Sequence, residues 1–123
     1  MSFGKTAYRE VTIAAAASLS TDSFDIYGQI VAVKVPAGFE GTLVTFQSSD
    51  DNITFEDILD DAGGEIPVVV AAGKKTGLDA VRPELEHMRY GKVRAGTLGV
   101  PQPQAAQRVI RVYYMPSEWR RRE

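Results

Sequence analysis

Apolar and polar residues alternate along most of this chain with the period of two that turns one side of an extended strand toward a core. Val11 and Ile13 alternate in Glu10–Ala16 (EVTIAAA), and Phe24 and Ile26 in Ser23–Tyr27 (SFDIY). Gln29–Val35 (QIVAVKV) is a β-branched run stopped by Pro36, and the PAGFEG that follows has the composition of a turn. Thr42–Ser48 (TLVTFQS) resumes the alternation. After SSDDN comes a further expected strand, Ile53–Leu59 (ITFEDIL), closed by DDAGGE. Ile66–Ala71 (IPVVVA), Tyr90–Ala95 (YGKVRA) and Arg108–Tyr114 (RVIRVYY) complete the set, with Pro67 pointing to an edge or a strand start. One segment departs from this period. Asp79–Met88 (DAVRPELEHM) carries Val81, Leu85 and Met88 at helical spacing, which predicts a short helix or 3₁₀ turn across one end of the sheets.

Eight to nine short strands, spaced by turns at roughly 8–12 residues, with one short helical turn, predict an all-β fold. The expected architecture is an antiparallel β-sandwich, jelly-roll-like in its many short strands. No internal repeat, low-complexity tract or linker divides the chain. Residues 1–10 read as an N-terminal arm or first strand, 11–115 as the sandwich, and 116–123 as a C-terminal Trp-Arg tail.

At 123 residues the chain suffices for one domain with its own core. Its 44% hydrophobic and 24% charged residues are those of an ordinary globular protein. Without cysteine, neither disulfides nor thiolate metal ligands are available. MSFGKTAYRE lacks the basic-then-apolar layout of a signal peptide, and no apolar run approaches the roughly 20 residues of a membrane helix. Neither export by that route nor a membrane partner is therefore expected. The net charge of −2 conceals an asymmetry: Val35–Gly73 contains acidic residues and no Lys or Arg, whereas bases outnumber acids after Lys74. Either the fold mixes these charges on one surface, or it presents two faces of opposite sign that orient copies and partners.

The acidic run SSDDNITFEDILDDAGGE is the most conspicuous candidate for chemistry. An EF-hand loop needs Gly at its sixth position and Glu at its twelfth. Counting from Asp50 gives Phe55 and Asp61, and from Asp57 gives Ala62 and Val68, so neither register supplies both the Gly and the Glu. A looser calcium site would have to join Asp50 and Asp51 to Asp60 and Asp61. An intervening strand would hold these pairs roughly 20 Å apart at about 3.3 Å per residue. Turn chemistry is the simpler reading, with Asp and Asn bonding their own backbones and Gly63 and Gly64 supplying positive φ. Glu56 and Asp57 point to opposite strand faces, which does not suit a glycosidase pair. His87 is the only histidine and has no visible triad partners, and AAGKKTG lacks the order of a phosphate loop. No catalytic residue, metal site or cofactor is expected.

At the C-terminus, SEWRRRE places the only tryptophan, Trp119, beside Arg120, Arg121 and Arg122. Trp and Arg are favoured anchors at protein interfaces, and Arg also binds phosphate. The acidic pI of about 5.4 argues against a nucleic-acid partner. At the other end, Phe3, Tyr8 and Arg9 lie in SFGKTAYRE, a segment suited to adding a strand to a neighbour's sheet edge or to forming the chain's own first strand.

Read in order, VTIAAAASLS, IVAVKVPAGFEGTLVTFQSSDD, TFEDILDDAGGE, a short LD-led connection, RYGKVRAGT and PQPQAAQRVIRV resemble a family of small virion proteins encoded among the structural genes of tailed bacteriophages. The resemblance spans Val11 to Val112 and rests on the order of segments, since no catalytic motif defines it. It implies a non-enzymatic β-sandwich, made in the bacterial host cytoplasm and carried on the virion in many copies. The corresponding expectation is a capsid decoration or cement protein whose partners are the major capsid protein, other virion proteins and further copies of itself. Phe3, Tyr8, Arg9 and Trp119–Arg122 would be its contacts. A head-fibre base, a head–tail component or a tail component belongs to the same class. A carbohydrate-binding module for host attachment is the reading from a different class, and it requires exposed aromatic rings or a loop calcium.

Overall fold

The computed structural model describes residues 7–78 and 88–116, and among them the fold is all-β, with two antiparallel sheets packed together. Eight strands form it: β1 (Ala7–Ile13), β2 (Phe24–Lys34), β3 (Leu43–Ser49), β4 (Glu56–Asp57), β5 (Val68–Val69), β6 (Lys75–Gly77), β7 (Met88–Ala95) and β8 (Arg108–Pro116). Hydrogen bonding follows the order β1-β8-β2-β7-β3-β4, with β5 also on β3 and β6 also on β2. Ala7–Glu10, read from sequence as an arm or a first strand, are strand residues here.

The two sheets share β2. Its start, Phe24–Gly28, pairs with β7, whereas Gly28–Lys34 pairs with β8 and the last three residues with β6. The register shifts between Asp25 and Gly28 and again between Ile30 and Ala32. Such bulges bend and twist a strand, which is how one strand turns the corner between two layers. The expected strands Ser23–Tyr27 and Gln29–Val35 are thus one strand, continuous through Gly28. The first sheet is β1, β8, the end of β2 and β6. The second is the start of β2, β7 and β3, with β4 and β5 along the outer edge.

The core follows the alternation. Val11 and Ile13, Ile110 and Val112, Val44 and Phe46, and Val93 and Ala95 face inward and are buried, joined by Phe24, Ile26, Ile30 and Val33 from β2. Each such side chain contributes about 1.5–3 kcal/mol on burial. Short β4, β5 and β6 cover the outer edges of β3 and β2, leaving less open ladder for unwanted pairing.

Three expectations are corrected. Ile53–Leu59 is not a strand along its length, because only Glu56 and Asp57 pair with β3. The Asp51 carboxylate takes the N–H groups of Ile53 and Thr54, each at 2.9 Å, and so removes them from any ladder. Ile66–Ala71 shortens to Val68–Val69, and Lys75–Gly77, not among the expected strands, is an edge strand. Of the helical segment Asp79–Met88, residues 79–87 lie outside the described residues, and Met88 opens β7.

The long connections are tied together by one buried side chain. Gln104, 1% exposed, lies in the β7–β8 connection. Its Oε1 accepts from Glu40 N–H at 2.9 Å and from Arg108 Nε at 3.3 Å. Its Nε2 donates to the carbonyls of Glu40 at 2.9 Å and Gln102 at 3.1 Å. The Gln104 backbone bonds Ala16 and Ala17 in the β1–β2 connection. Replacing Gln104 with Ala strands both backbone groups of Glu40, so Gln104→Ala is expected to lower unfolding free energy by about 2–4 kcal/mol in urea denaturation. A loss under about 0.5 kcal/mol would mean that water replaces the amide without penalty.

Candidate functional site

The outer face of the first sheet carries two cross-strand rows. In one, Tyr8 of β1, Tyr113 of β8, Ala32 of β2 and Gly77 of β6 stand side by side. In the next, Glu10, Arg111, Lys34 and Lys75 occupy the same four strands. Alternation in RVIRVYY makes this face: Ile110, Val112 and Tyr114 turn inward, so Val109, Arg111 and Tyr113 turn out.

The rows interlock. The Tyr8 and Tyr113 rings lie 5.5 Å apart at 48°. The Arg111 guanidinium sits 4.6 Å from the centre of the Tyr8 ring, and Lys75 Nζ 3.9 Å from that of Tyr113. These are cation–π contacts, and they bury Tyr113 to 9% exposure although it points away from the core. Arg111 Nε also meets Glu10 Oε2 at 3.0 Å. Hydrogen bonding to Tyr113 first and to Glu10 second holds the guanidinium above its ordinary value, so Arg111 is a permanent cation. Three bases thus face one acid. Beside them a depression of about 250 Å³ is lined by Glu10, Lys34, Val35, Pro36, Val109 and Arg111.

Of the residues singled out from sequence, Tyr8 belongs to this face. Arg9 does not: it stands opposite Val112 on the core side of β1, 5.3 Å from the Tyr114 ring, and its Nε donates to the Asp25 carbonyl. Phe3, Trp119, Arg120, Arg121 and Arg122 lie outside the described residues. Lys34, Lys75, Tyr113 and Arg111 were not singled out. The period-two position of Arg111 between Val109 and Tyr113 was a signal that could have marked it.

The acidic run performs turn chemistry. Asp51 Oδ1 accepts from Ile53 N–H, Thr54 N–H and Ser49 Oγ, while Asn52 adopts φ +62°. Ser23 Oγ donates to Asn52 Oδ1 at 2.6 Å and pins the loop to the start of β2. Asp60 Oδ1 accepts from Ala62 and Gly64 N–H groups, and Gly63 takes φ +84°. Gly64, also expected at positive φ, instead packs against the Asp60 carboxylate. Because β4 is only two residues long, a long strand does not space the Asp pairs; each is held by its own turn. Asp57 instead pairs with buried Arg94 at 2.8 Å. Among the described residues, no group of three His, Cys, Asp or Glu side chains is placed to hold a metal ion.

The asymmetry of charge along the sequence is partly undone in space. Four ion pairs, Arg89–Asp25, Arg94–Asp57, Arg108–Glu40 and Arg111–Glu10, each join a base after Lys74 to an acid before it. Among the described residues no helix is long and apolar enough to cross a membrane. Comparison with family models, with curated proteins and with solved structures finds no match to this chain.

Backbone hydrogen bonds from Thr54 and then Ile53, with the Ser49 hydroxyl, hold the Asp51 carboxyl below its ordinary 3.8. A carboxylate depressed in the folded state stabilises the loop above the ordinary Asp range and loses that contribution as pH falls through the folded value. In an NMR titration, the Ile53 and Thr54 amide resonances are expected to move with a midpoint below 3.8. A midpoint at or above that value would mean that the Asp51 caps do not persist in solution.

Proposed function

We propose that this chain is a non-enzymatic structural subunit of a tailed-bacteriophage virion, a decoration protein bound in many copies to the capsid lattice. The observation that carries this reading is the outer face of the first sheet. Its cations are fixed in place by ring contacts and by Glu10, so an acidic protein surface meets them with little ordering cost. The order of segments resembling small phage virion proteins supports the same reading, as does a scaffold whose turns are tied by side-chain hydrogen bonds. The same face speaks against a glycan platform. A sugar stacks on an open ring, whereas Lys75 covers the buried Tyr113 and Arg111 lies against the half-exposed Tyr8.

The test is quantitative mass spectrometry of virions purified from a host carrying the genome that encodes the chain. The expected result is a fixed stoichiometric ratio to the major capsid protein, with the chain released as NaCl rises from 0.1 to 1 M and the screening length falls from about 10 to 3 Å. A ring-like count of about a dozen would move it to a vertex or portal. Absence from the particles would overturn the proposal.

A further inference from the structure

The acidic loop after β3 and the depression on the first sheet differ in the sign of their charge, and each carries exposed apolar surface. Ile53, at the tip of the loop between β3 and β4, is 81% exposed, the most exposed large hydrophobic residue among those described. Exposing an aliphatic side chain to this degree in a rigid loop gains nothing for the isolated subunit. The loop is not loose: Asp51 N–H and Asn52 N–H donate to Ser49 Oγ, Asp51 accepts from Ile53 and Thr54, and Asn52 is held by Ser23. Ile53 is therefore a fixed apolar knob flanked by the carboxylates of Asp50 and Asp51.

The depression on the first sheet has the opposite character. Its apolar lining is Val35, Pro36 and Val109, and Val109 is itself 42% exposed. Its rim carries Lys34 and Arg111, with Glu10 already engaged by Arg111. At about 250 Å³ it accommodates a branched aliphatic side chain with adjoining backbone. Knob and depression lie on different sheets, and the exposure of Ile53 shows that it does not fill the depression of its own molecule.

We infer that a second copy of this chain is the occupant: Ile53 of one copy seats on Val109 and Pro36 of the next, with Asp50 and Asp51 meeting Lys34 and Arg111. Knob and socket are different surfaces, so the contact is heterologous and joins copies head to tail into a ring or a linear array. This goes beyond lattice attachment, because it concerns contacts between copies in the absence of any capsid. Its failure would leave the virion count untouched.

The test mixes two variants of the purified chain. Ile53→Asp removes the knob and keeps the socket, and Val109→Glu blocks the socket and keeps the knob. Both positions are exposed, and circular dichroism checks folding; should Val109→Glu unfold, Lys34→Glu serves in its place. In sedimentation velocity at low salt, the unsubstituted chain is expected to form concentration-dependent oligomers. Each variant alone should dissociate about tenfold or more readily. The equimolar mixture should form a one-to-one dimer and grow no further, since it offers a single intact knob–socket pair. A chain that stays monomeric at millimolar concentration overturns the inference. So does association unaffected by either substitution, or a mixture that forms no heterodimer.

Discussion

The carboxamide of Gln104 uses all four of its hydrogen-bonding positions inside the protein, and with its backbone bonds to Ala16 and Ala17 three connections of the sandwich meet at this residue. A buried amide with any position unmet would cost stability, so the groups around it have little freedom once it is in place. Glu40 is gripped at both its N–H and its carbonyl, and its carboxylate reaches Ala105 N–H and Arg108. The Arg108 guanidinium packs so closely on Gly38 that a Cβ there would collide with it. The turn after β2 is thereby fixed to the start of β8. Those two segments supply the walls of the depression, Val35 and Pro36 on one side and Val109 on the other. The shape of the proposed socket thus depends on an amide that never touches it.

A second constraint acts on charge. Antiparallel pairing sets β8 against β1 and β7 against β3, which brings late bases onto early acids and neutralises part of each. The exposed pairs among them, Arg89–Asp25 and Arg111–Glu10, contribute only about 0–1 kcal/mol each. Their larger effect is to select which charges remain without an ion pair on the surface. Lys34 and Lys75 stay on the first sheet without a salt bridge among the described residues, and Asp50 and Asp51 stay on the loop after β3. Aromatic rings then hold two of the cations in position.

Much of the fold was legible because its core is made by local alternation. Val11 and Ile13, Phe24 and Ile26, and the inward residues of RVIRVYY are buried as their period implies. Ile53–Leu59 misled because its alternation is real while Asp51 withdraws the first amides from the ladder, and side-chain capping leaves no trace in a hydrophobic pattern. Gln104 was invisible for a related reason: PQPQAAQ has the composition of a solvated loop, and its burial follows from strands distant in sequence. Tyr8 could be picked out as an aromatic near the N-terminus. The row Glu10–Arg111–Lys34–Lys75 could not, because it exists only after four strands have found their register.

Gln104 and its partners lock the connections in the free chain, so the outer face of the first sheet and the depression beside it hold their shape there. Native-state amide hydrogen exchange of the free chain reads this locking residue by residue. The amides of Ala16, Glu40 and Gln104 are expected to exchange as slowly as those of Val93 and Ala95 in β7, opening only with global unfolding. Fast exchange at Ala16 and Glu40, with β7 still protected, would show that the connections open on their own and would contradict it.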